Sequence, residues 1–250
     1  LSIDLERDIT KISKSLGSVR DLDVLGLWLQ GFMADSALDE KESKQARKAL
    51  QRLQRRRQKQ FKQMCSTLKG NRYRQFTEEF QEWLKSPSFK AGAEWPIRLV
   101  LPDILLPLIN KLLLHPGWLA AIAPHQESAG PIDEWSPNSE IIGDQVEIYL
   151  AEYGTILHDL RKQAKRVRYQ TEFFKDFYDS AYTEQTQEFR TIQDLLGQLQ
   201  DSQVLSDFLV QEMGPRWKEF IPSLEGYMRQ QRLEQWQQWQ PIQQKYLSTQ

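Results

Sequence analysis

Apolar residues recur along this chain at intervals of three and four. Between Lys41 and Arg74 they fall at Ala46, Leu50, Leu53, Phe61, Met64 and Leu68, with Phe61 two turns beyond Leu53. Such spacing keeps one face of a helix apolar. A second stripe runs through Ile142, Val146, Tyr149, Tyr153, Ile156, Leu160, Val167, Phe174 and Tyr178. β-branched runs with period two are missing, so the pattern predicts an all-α chain. The periodicity lapses from His115 to Glu140. There Pro116, Pro124, Pro131 and Pro137, with Gly117, Gly130, Ser128 and Ser136, predict a loop that is either a linker or a mobile insertion. The expected organisation is a first half over 1–114, a linker over 115–140 and a second half over 141–250.

The halves share a repeat. Leu16-Gly17-Ser18-Val19-Arg20-Asp21-Leu22-Asp23-Val24-Leu25 aligns with Leu196-Gly197-Gln198-Leu199-Gln200-Asp201-Ser202-Gln203-Val204-Leu205 at an ungapped offset of 180, and Ile12 meets Ile192. Gly17 and Gly197 read as residues that end a helix, and Asp21 and Asp201 as N-caps of the next one. Each half is then a helix–turn–helix of one kind. The second half carries a basic helix, His158 to Tyr169, about thirty residues before its Leu-Gly pair. The same offset in the first half puts an equivalent helix before Leu1.

Charge changes the picture more than composition does. The chain of 250 residues nets −1, yet Lys41 to Arg74 holds thirteen Lys/Arg against one acid, Glu42, which leaves the remainder at −13. A surface organised in this way suits a polyanion. Lys44, Lys48, Arg52, Arg55, Lys59 and Lys62 lie opposite the apolar stripe, where a solvated face would also place them. Arg57 falls within the stripe, between Leu53 and Phe61. A buried, unpaired guanidinium costs several kcal/mol, so either an acid pairs with it or the core side opens into a wet, anion-accepting cavity; the cavity is favoured. Arg72 and Arg74 extend the positive field past Gly70. In the helix from His158, His158, Arg161, Lys165 and Arg168 share one stripe beside the apolar face, with Lys162 and Arg166 on the other flank. This is either a solvated face or an anion groove whose guanidinium forks engage phosphate oxygens.

Other chemistries find little support. Asp21 and Asp23 form an Asp-x-Asp pair, but the second copy has Gln203 where the first has Asp23, so a cap is preferred to a metal site. His115, His125 and His158 are far apart in sequence, and no metal or cofactor is expected. No glycine-rich phosphate loop and no nucleophile–base constellation has recognisable spacing, so catalysis is not expected. Cys65 reads as a core residue, which with its being the single cysteine fits a reducing, cytoplasmic setting. The eight Trp read as packing. The longest apolar stretch, Leu99 to Leu114, is interrupted by Pro102, Asp103, Pro107, Asn110 and Lys111, so no membrane partner is expected.

The run His158-Asp-Leu-Arg161-Lys-Gln-Ala-Lys165-Arg166-Val-Arg168-Tyr169 resembles the CHAD family, the conserved histidine α-helical domain. The resemblance extends to the Leu-Gly-x-x-Arg20-Asp21-x-Asp23-Val segment and its second copy, to the basic helix ending in Leu68-Lys-Gly-Asn-Arg72-Tyr73, and on to Trp239-Gln-Pro-Ile. It implies two helical bundles related by approximate two-fold symmetry, a basic groove or pore between them, and non-catalytic binding of inorganic polyphosphate, or of phosphate or sulfate ions in its place. A location with polyphosphate granules would follow. On this reading His158, Arg161, Lys165, Arg166 and Arg168 form one wall. Arg20, Arg52, Arg55, Arg56, Arg57, Lys59, Arg72 and Arg74 form the other. The chain departs from the family pattern between Ile97 and Leu114, where only Arg98 and Lys111 are basic. Nucleic acid is disfavoured because few aromatics lie on the basic faces. The alternatives are a scaffold that docks an acidic protein or RNA, and an accessory module of a polyphosphate- or triphosphate-processing enzyme.

Overall fold

The computed structural model describes residues 3–89, 91–122 and 143–248. Among them are eight α-helices and no strand, so the chain is all-α, as its periodicity predicts. The helices are α1 (Ile3–Asp35), α2 (Glu40–Lys69), α3 (Asn71–Lys85), α4 (Ile97–Leu113), α5 (Gly143–Phe173), α6 (Ser180–Met213), α7 (Trp217–Phe220) and α8 (Pro222–Ser248), with 3-10 turns at Pro116–Leu119 and Lys175–Phe177. They divide into two compact units, Leu1–Glu94 with Leu205–Glu225, and Trp95–Val204 with Gly226–Gln250.

The repeat is present in register but not as helix–turn–helix. Gly17, Asp21 and Asp23 lie inside α1, and Gly197 and Asp201 inside α6. Neither glycine ends a helix, and neither Asp21 nor Asp201 is an N-cap. A glycine in a helix interior costs about 1 kcal/mol relative to Ala. The buried residues that follow on each helix outweigh that cost: Val19, Leu22 and Leu25 on α1, and Leu199, Leu205 and Leu209 on α6. The breaks come later. Asp39 caps α2, its carboxylate accepting from the Glu42 N–H at 2.7 Å. Beyond α6, Gly214 adopts φ 89°, the left-handed conformation that closes a helix. The 180-residue offset that links α1 to α6 also carries α2 onto α8.

In the first unit α1 lies along α2, and α3 packs on both. Ala46 and Ala49 let α2 come close to α1, and Leu53 completes the buried seam. Glu42, the lone acid of the basic run, is buried for a structural reason. Its carboxylate accepts from the Ser223 N–H at 2.8 Å and the Ser223 hydroxyl at 2.6 Å, satisfying the start of α8. The apolar stripe of α2 fades along the helix: Phe61, Met64 and Leu68 are half-buried, and so is Cys65, which is not the core residue its position implied. No residue of α3 is buried, although Tyr73, Phe76, Phe80 and Trp83 stack down one face with centroids 5.8–6.2 Å apart.

The core of the second unit draws on α4, α5, α6, α8 and the 3-10 turn. Trp118 is its centre, at a position where the sequence predicts a linker. The ring stacks on Trp239 at 5.2 Å and Tyr246 at 4.5 Å, and its Nε1–H donates to the Leu112 carbonyl at 2.7 Å. Gln243 donates to the carbonyls of Trp118 and Ala120, both at 2.8 Å. The segment His115 to Ala120 is therefore anchored; 123–140 lie outside the described residues. Trp118, Trp217, Trp236 and Trp239 are all buried, as packing requires. The repeat is covered unequally. Leu196 is 2% exposed beneath α5 residues such as Leu160 and Val167, whereas its counterpart Leu16 is 44% exposed.

Candidate functional site

The basic helix of the second unit is the C-terminal half of α5, and α6 passes beside it. Leu157, Leu160, Ala164 and Val167 face the core. This seats His158, Arg161 and Arg168 at the edge of the core and leaves Lys165 and Arg166 exposed. Arg161 lies against α6 where Gly197 has no side chain. A Cβ there would stand 3.2 Å from Arg161 Nε and 3.6 Å from its Nη2. Glycine at 197 thus serves close approach rather than a turn, and a side chain there would require Arg161 to shift by a few tenths of an ångström. Arg161 Nε and His158 Nδ1 are buried and make no hydrogen bond among the described residues. Burial pushes the His158 imidazole below its ordinary pKa, and the cations of Lys162 and Arg161 lower it further. Asp159 and a hydrogen bond with Gln200 act the other way. Lys162 is drawn aside to Asp159 at 2.5 Å.

Arg168 is held rather than free. Its Nε donates to Glu172 at 2.9 Å, its Nη1 to Gln193 at 3.2 Å, and its guanidinium lies 5.2 Å from the Tyr169 ring. Lys165 shares that ring from 5.7 Å. Among the described residues neither Lys165 nor Arg166 pairs with a carboxylate.

In the first unit the charges of α2 separate into two kinds. Arg52, Arg55 and Lys59 are exposed on the outer face, as are Arg20 on α1 and Arg74 on α3. None of these five makes an ion pair among the described residues. Three others are engaged. Arg56 donates to Gln211 at 2.9 Å and lies 6.0 Å from the Phe208 ring. Arg72 ties α3 to the buried carboxylate of Asp8 at 2.6 Å. Arg57 donates through Nε to Asp23 Oδ1 at 2.7 Å and sits 5.0 Å over the Phe61 ring. An acid therefore pairs with Arg57, and the favoured anion-accepting cavity is overturned. The groove beside it, lined by Leu22, Asp23, Gly26, Leu53 and Arg57, contains the carboxylate that neutralises the arginine. Asp23 is thus an ion-pair partner inside α1 and not a cap. The repeat is consistent with this pairing, because the offset turns Asp23 and Arg57 together into Gln203 and Gln237.

Sequence reasoning missed several groups in the second unit. Arg190 of α6 reaches Glu172 at 2.5 Å. His115, distant in sequence from His158, lies within electrostatic reach of the same Asp159, and its own pKa is lowered chiefly by burial. Gln193 and Gln200 join through α6. These are tertiary juxtapositions with no local signature.

The family model of the CHAD domain matches residues 2–210. The chain belongs to the CHAD family. The match takes in α1, α2 and the whole His158–Tyr169 run. No curated protein and no solved structure matches the chain. Among the described residues of this CHAD domain, no helix is long and apolar enough to cross a membrane. No group of three or more His, Cys, Asp and Glu side chains among them is arranged to hold a metal ion.

Proposed function

We propose that this CHAD domain binds inorganic polyphosphate through its basic helical faces and does not itself act on the chain. The supporting observation is a set of exposed cations without carboxylate partners on a chain that nets −1. These are Arg52, Arg55 and Lys59 on α2, Arg20 on α1, Arg74 on α3, and Lys165 and Arg166 on α5. Surface cations that serve only solubility are normally interspersed with acids. Along α2 no acid follows Glu42. A flexible polymer with about one negative charge per phosphate is held by many such contacts, each releasing a counterion. Arg supplies planar forks that fit two phosphate oxygens, and Lys supplies point charges that need no fixed geometry. Orthophosphate or sulfate would occupy the same positions singly. On this reading the protein works in the cytoplasm, with polyphosphate granules.

Charge reversal tests the assignment. Arg161→Glu with Lys165→Glu is expected to weaken binding of long-chain polyphosphate at low salt far more than Lys111→Glu on α4. Equal losses would show that net charge, and not this face, governs binding. Competition by RNA addresses the other class of partner. Displacement of polyphosphate at equal phosphate concentration would favour a scaffold that docks RNA or an acidic protein. Orthophosphate release from polyphosphate in the presence of Mg²⁺ would contradict the non-catalytic reading.

A further inference from the structure

Near the end of α5 a carboxylate occupies a position suited to an anion. One oxygen, Glu172 Oε1, accepts from Arg168 Nε at 2.9 Å and from Arg190 Nη2 at 2.5 Å. Two guanidinium groups from different helices thus converge on one oxyanion, an arrangement equally fitted to a phosphate oxygen. Gln193 holds the far side of Arg168 at 3.2 Å and also donates to Asp194, the next carboxylate, at 3.2 Å. Glu172 lies in the last turn of α5, which contains no basic residue. A carboxylate there faces the negative end of the helix dipole. Its own helix therefore disfavours it, and the two arginines hold it in place. The cluster is open to solvent: Arg168 is 17%, Glu172 28% and Arg190 44% exposed. Its two cations face Glu172 directly, with Asp194 a second carboxylate acting on Arg168, and the cluster continues through the Tyr169 ring to Lys165.

Resting on the polyphosphate reading above, we propose that Glu172 is an internal counter-anion that polyphosphate displaces, and that Arg190 is a further polyphosphate-binding residue. Bound phosphate would take the Glu172 oxygen's place between Arg168 and Arg190. The carboxylate, disfavoured by its helix, would turn to solvent. Glu172 would then set the threshold for binding: a monovalent anion competes poorly with a tethered carboxylate, whereas a polymer held at Lys165 and Arg166 presents phosphate to the cluster at high local concentration.

The test is Glu172→Gln, which keeps the size of the side chain and removes its charge. Long-chain polyphosphate should bind this variant about three-fold more tightly or better, the scale set by losing two partly exposed ion pairs. The slope of log affinity against log salt should steepen by roughly 0.7–1.4, as one or two more cations shed counterions. Arg190→Gln should weaken binding and make a further Glu172→Gln change less effective. Unchanged or weaker binding by a folded Glu172→Gln protein, with wild type still binding, overturns this inference and leaves the polyphosphate reading intact. Binding by neither protein overturns both. If the variant does not fold, NMR of the arginine Nε–H groups in wild type decides. The Arg168 resonance should move along the binding curve as tripolyphosphate is added, and a resonance that stays still while binding saturates contradicts the displacement.

Discussion

At the scale of single residues, charge in this protein has two different uses. Arg56, Arg57, Arg72 and Arg168 are bound to neighbours, whereas Arg20, Arg52, Arg55, Lys59, Arg74, Lys165 and Arg166 face solvent without carboxylate partners among the described residues. The histidines give this a pH dependence. His115 and His158 have lowered pKa values, first through burial. Unfolding restores both to about 6.5, so below that value the unfolded chain binds more protons and stability falls with pH. The shifted carboxylates Asp159 and Glu172 act lower, below about 4, where protonation removes their ion pairs. The urea midpoint should therefore decline from pH 7 towards pH 5, and His158→Gln should flatten that decline. A pH-independent midpoint in wild type would contradict the burial argument. The one-stripe placement of the His158 helix is legible from 100° steps alone. The partner of Arg57 is not: Asp23 stands 34 residues away, and only the packing of α2 along α1 joins them.

The helices themselves explain why the repeat is legible in register and misleading in shape. Three-and-four spacing marks a buried face, and it holds for Ala46 and Leu53 of α2 and for Val146, Leu160 and Val167 of α5, while Phe174 and Tyr178 lie beyond the end of α5. A Leu-Gly pair followed by Asp mimics a helix stop, yet both copies continue through it, because burial on either side outweighs the local cost. The two glycines should respond differently to substitution. A Cβ added at Gly17 would meet nothing within 4 Å, whereas one at Gly197 would meet Arg161 at 3.2 Å. Gly17→Ala should raise stability by roughly 0.5–1 kcal/mol in chemical denaturation, the ordinary helix gain. Gly197→Ala should gain less and should weaken polyphosphate binding by pushing Arg161 off α6. Equal effects in both assays would contradict the seating of Arg161. Trp118 is the complementary lesson. Prolines and glycines around it read as a linker, but a stack with Trp239 and Tyr246 is invisible to local pattern. Trp118→Ala should cost about 3–5 kcal/mol in a denaturant titration, as for a large side chain removed from a packed core; a loss under about 1 kcal/mol would deny Trp118 that role.

For the molecule as a whole, the central claim is that a chain of net charge −1 binds a polyanion through locally concentrated cations. Such binding is multivalent and electrostatic, so salt is the variable that exposes it. Simple net-charge attraction cannot produce it, since the whole molecule is slightly negative at pH 7. The direct measurement is a titration of the protein with long-chain polyphosphate over a series of salt concentrations. The account predicts binding at low salt that weakens linearly in log affinity against log salt, with a slope steeper than about −2, the mark of three or more displaced counterions. No binding at low salt, or binding with a flat salt dependence, would contradict it.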